Sequence, residues 1–132
     1  MYYQDDFEIA ADINLELFQM SKISSSYCHI INVYRSHGAD TALFLHHLES
    51  LVRGCDECYI VGDFNINLIK HNHPIVAWIL AYGFKQLVQS PTHEEGGILD
   101  HAYVKSKSLH HVFLHWPYYS DHAAVCIKKE GL

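Results

Sequence analysis

Apolar and polar positions alternate from Phe7 to Leu17, with Ile13, Leu15 and Leu17 on one side and Asp12, Asn14 and Glu16 on the other. That period of two predicts a strand with one face toward water. The polar run Ser21–Ser26 then reads as a turn, and Tyr27–Tyr34, carrying Ile30, Ile31 and Val33, as a second strand pairing with the first. The period changes after Gly38. Phe44, Leu48, Leu51 and Val52 recur at helical spacing behind Asp40, a candidate N-cap, and Gly54 stands where the helix should stop. Tyr59–Val61 follows as a short buried strand. A strand, a helix and a strand in succession predict an α/β unit with both strands in one sheet.

Pro74 suits the first turn of a second helix carrying Ile75, Trp78, Ile79 and Tyr82, which Gly83 would end. Those aromatics suit packing on a sheet better than base stacking. Phe84–Val88 predicts a brief strand, Ser90–Gly97 a polar loop, and Ile98–Val104 a further strand. Lys105–Ser108 reads as a solvated basic turn. Val112–Leu114 and Ala123–Ile127 are the last strand candidates, joined by Trp116–His122. Neither repeats nor linkers interrupt the pattern, so a single domain over 1–132 is expected.

The chain has 132 residues, 49% hydrophobic and 18% charged, a balance that favours a folded domain over disorder. A formal charge of -6 gives no broad attraction to nucleic acid or to an anionic membrane, although a local cleft can still be positive. The twelve histidines make that charge sensitive to mild acid. Neither a basic leader nor a long apolar run is visible. The expectation is a cytoplasmic or nuclear protein with no membrane association.

In that setting the four cysteines are expected as free thiols. Cys55 and Cys58, followed by His71 and His73, imitate the first intervals of a zinc finger. The single residue between the histidines, and the strand lying inside the loop, favour buried or loop cysteines instead.

Three polar clusters interrupt the apolar pattern at comparable places. Gly62-Asp63-Phe64-Asn65 follows a strand, Asp100-His101 breaks an apolar run, and Asp121-His122 precedes the last strand. Gly62 permits a tight backbone path, after which Asp63 and Asn65, two positions apart on an extended segment, would point to one side. Each cluster is also compatible with an ordinary turn. Brought together, they would suit metal-assisted hydrolysis: a carboxylate positions water, a histidine stabilises or transfers charge, a second carboxylate orients the histidine, and a metal offsets negative charge. Asp63, His122, Asp100 and Asp121 have the chemistry for these roles.

The strings Gly62-Asp63-Phe64-Asn65, Leu99-Asp100-His101 and Ser120-Asp121-His122, in that order, resemble the C-terminal motifs of the endonuclease/exonuclease/phosphatase superfamily. Asn32-Val33-Tyr34-Arg35-Ser36 resembles its strand-end segment with a phosphate-contacting tyrosine. Pro91-Thr92-His93 through Tyr103, and Tyr118-Tyr119-Ser120-Asp121-His122, are similar to the endonuclease domains of non-LTR retroelements and related mobile elements. The resemblance runs from residue 13 to residue 127.

The resemblance implies that Asp63 orients or activates water and that Asn65 and Tyr34 contact the phosphate. It places His122 opposite the scissile phosphate, supported by Asp100, and Asp121 near a Mg2+ or Mn2+ ion. It implies an α/β fold that is a partial β-sandwich of the family type, mainly one mixed or antiparallel sheet with flanking helices. The family's early asparagine and principal metal-binding glutamate have no match here, and neither Glu8 nor Glu16 lies in such a motif. A truncated domain is therefore expected, its inner sheet face exposed unless a homodimer or an N-terminal partner covers it. The expected function is metal-dependent hydrolysis of DNA phosphodiesters, contingent on completion of the metal site. The alternatives are an inactive nucleic-acid-binding or protein-interaction remnant and, further off, a phosphatase.

Overall fold

The computed structural model describes residues 7–70 and 72–130. Among these residues eight strands and two helices follow in the order β1 (Glu8–Asn14), β2 (Phe18–Ser24), β3 (His29–Arg35), α1 (Thr41–Val52), β4 (Cys58–Asp63), α2 (Pro74–Ala81), β5 (Lys85–Gln86), β6 (Asp100–Lys105), β7 (His110–His115) and β8 (Ala124–Lys129). Six strands form one sheet in the order β1-β2-β3-β4-β6-β5, and β7 pairs with β8 separately. Only β3 and β4, joined through α1, run parallel among these pairings; the rest are antiparallel. The α/β architecture with one mixed sheet and flanking helices is therefore present.

The first strands differ from the expectation. The alternation through Leu17 does not continue as one strand: β1 ends at Asn14, and the Leu15 amide donates to the Phe18 carbonyl across a tight turn. The serine-rich run expected as a turn is mostly strand β2. Phe18 and Met20, two positions apart, are buried and hold β2 on the core, while Lys22 reaches the Leu51 carbonyl at 2.7 Å. Because β2 lies between them, the two strands expected to pair with each other do not touch in register. The turn falls later, where the Ser25 hydroxyl accepts from the Tyr27 and Cys28 amides. The stretch 84–88 yields only the two-residue β5.

Both helices follow their end signals. The Asp40 carboxylate accepts from the Leu43 amide at 2.8 Å, and Gly54 adopts φ +75° past the end of α1. His73 caps α2 ahead of Pro74, its Nδ1 accepting from the Ile75 amide. Phe44, Leu48, Leu51 and Val52 of α1, with Ile75 and Ile79 of α2, pack on the sheet face formed by Phe18, Met20, Ile31, Val33, Ile60 and Tyr103. Fully burying a side chain such as Phe44 stabilises the fold by about 1.5–3 kcal/mol.

Alternation sends the neighbours of those residues to the other face. There Val61 and Ala102 meet Val112, Val125 and Ile127 of the β7–β8 hairpin. The expected open face is thus partly covered, by a hairpin over β4 and β6. Over β1 to β3 it is more open, with Ile9 and Tyr34 exposed. No helix among the described residues is long and apolar enough to cross a membrane.

Candidate functional site

Strand register carries three distant residues into one row. Tyr34 of β3 is the Cα partner of Asp63 on β4, and Asp63 is the Cα partner of Asp100 on β6. Registered partners share a face, so all three side chains rise from the hairpin side of the sheet at spacings of about 4.8 Å. Gly62 enables this close pairing. Its φ is +143°, and a Cβ there would stand 1.9 Å from the Val33 carbonyl oxygen. Asn65 departs from the expected extended path: it has φ +53°, and its amide donates to Asp63 Oδ1 at 2.9 Å. The turn this makes is one that asparagine tolerates, and it takes Asn65 off the strand. Asn65 lines a cavity with Arg35 and Asn67 instead.

His122 arrives on the loop before β8. Its Nδ1 lies 2.6 Å from Asp100 Oδ2, and because an ionised carboxylate only accepts, that nitrogen carries the proton. Nε2 is thereby left facing outward, 4.0 Å from both Asp63 Oδ2 and Asp121 Oδ1. Those gaps are too wide for direct hydrogen bonds and suit a bridging water.

The loop is fixed by a residue to which no role was expected. Thr92 is completely buried, and its hydroxyl oxygen accepts from the Leu99 and Asp100 amides at 3.1 Å each. Its carbonyl accepts from the Ala123 amide at 2.7 Å, so one side chain and its own backbone tie the start of β6 to the segment bearing His122. Next to it His93 places Nε2 3.2 Å from Asp121 Oδ2 and sets its ring perpendicular to that of His122. The Pro91-Thr92-His93 string was the available signal; only pairing across the sheet reveals what it holds.

The charges reinforce one another. Burial pushes the Asp63 carboxyl above its ordinary value; the Asn65 amide opposes this, the neighbouring Asp100 adds to it, and His122 and His93 pull it back. Burial lowers His122, but its hydrogen bond and charge interaction with Asp100, joined by Asp63 and Asp121, outweigh that and raise the imidazole. His101, next to Asp100 in sequence, points to the opposite face. It is wholly buried, stacked on Phe64 and bonded to the Tyr103 hydroxyl and the Ile66 carbonyl, with burial lowering it to about 4. It serves the core.

Two groups, Asp63–Asp100–His122 and His93–Asp121–His122, each bring three ligand atoms within 4.8 Å of one another. The site thus has the donors to hold a metal ion. With Nδ1 engaged, His122 turns Nε2 toward Asp63 and Asp121, and Asp100 is the carboxylate that orients the imidazole. Mixed carboxylate and imidazole donors fit manganese readily and fit magnesium when water fills most positions. The zinc-finger pattern has no such support. Cys55 and Cys58 are free and buried, burial foremost and then Cys55 raise the Cys58 thiol to about 12, His73 caps α2, and His71 lies outside the described residues.

Neither protein-family models nor curated proteins yield a match to this chain.

Proposed function

We propose that this chain is an endonuclease/exonuclease/phosphatase-type domain, of the mobile-element kind, that hydrolyses DNA phosphodiesters with magnesium or manganese. The observation that carries the reading is the row Tyr34–Asp63–Asp100 with His122 leaning on Asp100. These are the residues the motif resemblance assigns to phosphate contact, water activation and charge stabilisation. Their placement side by side supports it.

In this reading Asp63, its carboxyl raised, orients the attacking water and accepts its proton. His122, its imidazole raised by Asp100 and oriented through Nδ1, presents Nε2–H to a phosphoryl oxygen when protonated. Tyr34 and Asn65 position the phosphate, and Asp121 and His93 hold the outer side of the cluster. A divalent ion bound here supplies Lewis-acid neutralisation of the phosphate charge. The family's glutamate ligand has no match in these 132 residues, and in this reading a carboxylate brought by a partner completes the metal site. The open sheet face beside Tyr34 is where such a partner would dock. The same missing ligand favours the second reading, a non-hydrolysing remnant that binds nucleic acid or protein through that face.

The test is magnesium-dependent nicking of supercoiled plasmid by the purified protein, its mass in solution measured on the same sample. Asp63→Ala and His122→Ala should each reduce cleavage at least about a hundredfold. Equal cleavage by both variants, or cleavage without metal, rejects the proposal. No cleavage by the folded parent at any measured mass favours the remnant.

A further inference from the structure

Arg35 ends β3 with its side chain on the helix face, only 5% exposed. A buried guanidinium is expected to have a carboxylate beside it, because its desolvation is otherwise uncompensated. Among the described residues this one has none within ion-pair distance. Among those residues its one hydrogen bond runs from Nη1 to the Phe64 carbonyl at 3.2 Å, and its Nε is buried with no partner among them. Arginine cannot escape by losing its proton. A permanent charge is therefore held in the protein without its counter-charge.

That side chain borders a cavity of about 460 Å³ beyond the ends of β3 and β4, lined also by His37, Asn65, Asn67 and His73. Among the described residues no carboxylate lines it. Asn67 Oδ1 is occupied by the Ile69 and Ile98 amides, leaving its NH2 group to donate. The cavity also meets the start of α2, the positive end of that helix. Donors thus arrive from the end of β3 and the loop after β4, beside the head of α2.

We propose that this cavity is an oxyanion site that takes a phosphate group, with Arg35 as its charge and Asn67 and His37 as further donors. Donors on several sides suit a tetrahedral dianion better than a planar carboxylate. The site is distinct from the His122 cluster, which stands on the opposite face, and it requires no hydrolysis. Asn65, bonded to Asp63 and lining the cavity, is the bridge between the two.

Inorganic phosphate titrated into 15N-labelled protein, in metal-free buffer at constant ionic strength, tests the site through the amide shifts of His37, Gly38 and Asn67. Saturable shifts there are expected. His37→Glu, at an exposed position that leaves the core intact, should weaken binding at least about tenfold, as should Arg35→Gln if it folds. His122→Ala should bind within about twofold of the parent. Absence of saturation overturns the proposal. So does binding that survives His37→Glu, or binding lost in His122→Ala, which would put the phosphate on the other cluster.

Discussion

Replacing Gly62 with alanine should be the most damaging single-methyl change in the sheet. The added Cβ would lie 1.9 Å from the Val33 carbonyl oxygen, whereas ordinary contact begins at 3.4 Å. Relief requires β3 and β4 to part by about 1.5 Å, roughly a third of the spacing that their hydrogen bonds tolerate. Holding alanine at φ +143° costs about 1–3 kcal/mol, and each buried ladder group left without its partner costs about 1–3 kcal/mol more. With one such group lost the sum is about 2–6 kcal/mol, a large part of the 5–15 kcal/mol typical of a domain. Urea unfolding followed by circular dichroism measures it. Gly54→Ala is the control, since Gly54 also has positive φ but nothing within 4 Å of its would-be Cβ, and it should cost only about 1–2 kcal/mol. Equal losses in the two variants would refute the reasoning, because backbone conformation alone, and not the approach of β3, would then explain the glycine.

Two further perturbations probe the site. Asp100→Asn removes the charge that holds His122 up, so the imidazole midpoint followed by NMR should fall; an unchanged midpoint would sink the assignment. In the parent, His122 is raised above its unfolded value of about 6.5, so its contribution to stability is complete below that pH and is lost as pH rises through the folded value. That pH-dependent increment should be missing from Asp100→Asn in unfolding experiments run across the same range. Thr92→Val keeps the shape but leaves the Leu99 and Asp100 amides without their acceptor, which should cost about 2–4 kcal/mol in urea unfolding; a loss below about 0.5 kcal/mol would show that Thr92 does not hold the loop.

Local chemistry was legible wherever a short signal decides the structure alone. Asp40, Gly54, Pro74 and Gly83 bracket the two helices as their types require, and the apolar positions of α1 are the buried ones. β2 escaped notice because Ser21, Ser24 and Lys22 have the composition of a turn, and only burial of Phe18 and Met20 against α1 makes them strand. In the site, Asp63, Asp100 and His122 were identifiable as chemistry, but their meeting depends on register between strands far apart in sequence. Asn65 was misplaced for a related reason: the Asp63 carboxylate captures its amide and bends a chain whose spacing reads as extended. Thr92 and His93 act through contacts with residues about thirty positions away, which no local pattern records.

The row across β3, β4 and β6 also determines where this chain can change length. An insertion between these strands, away from Asn65, Thr92 and His93, alters neither which residues are opposed nor which face they occupy, so the row is insulated from growth or loss there. Deleting one residue inside β6 is another matter. With the pairing after it kept, every position before it would change faces, turning a buried imidazole toward solvent and a carboxylate into the packed layer beneath the helices. Asp100 and His101 are adjacent in sequence and opposite in duty, so a single-residue slip would damage the reactive surface and the interior at once.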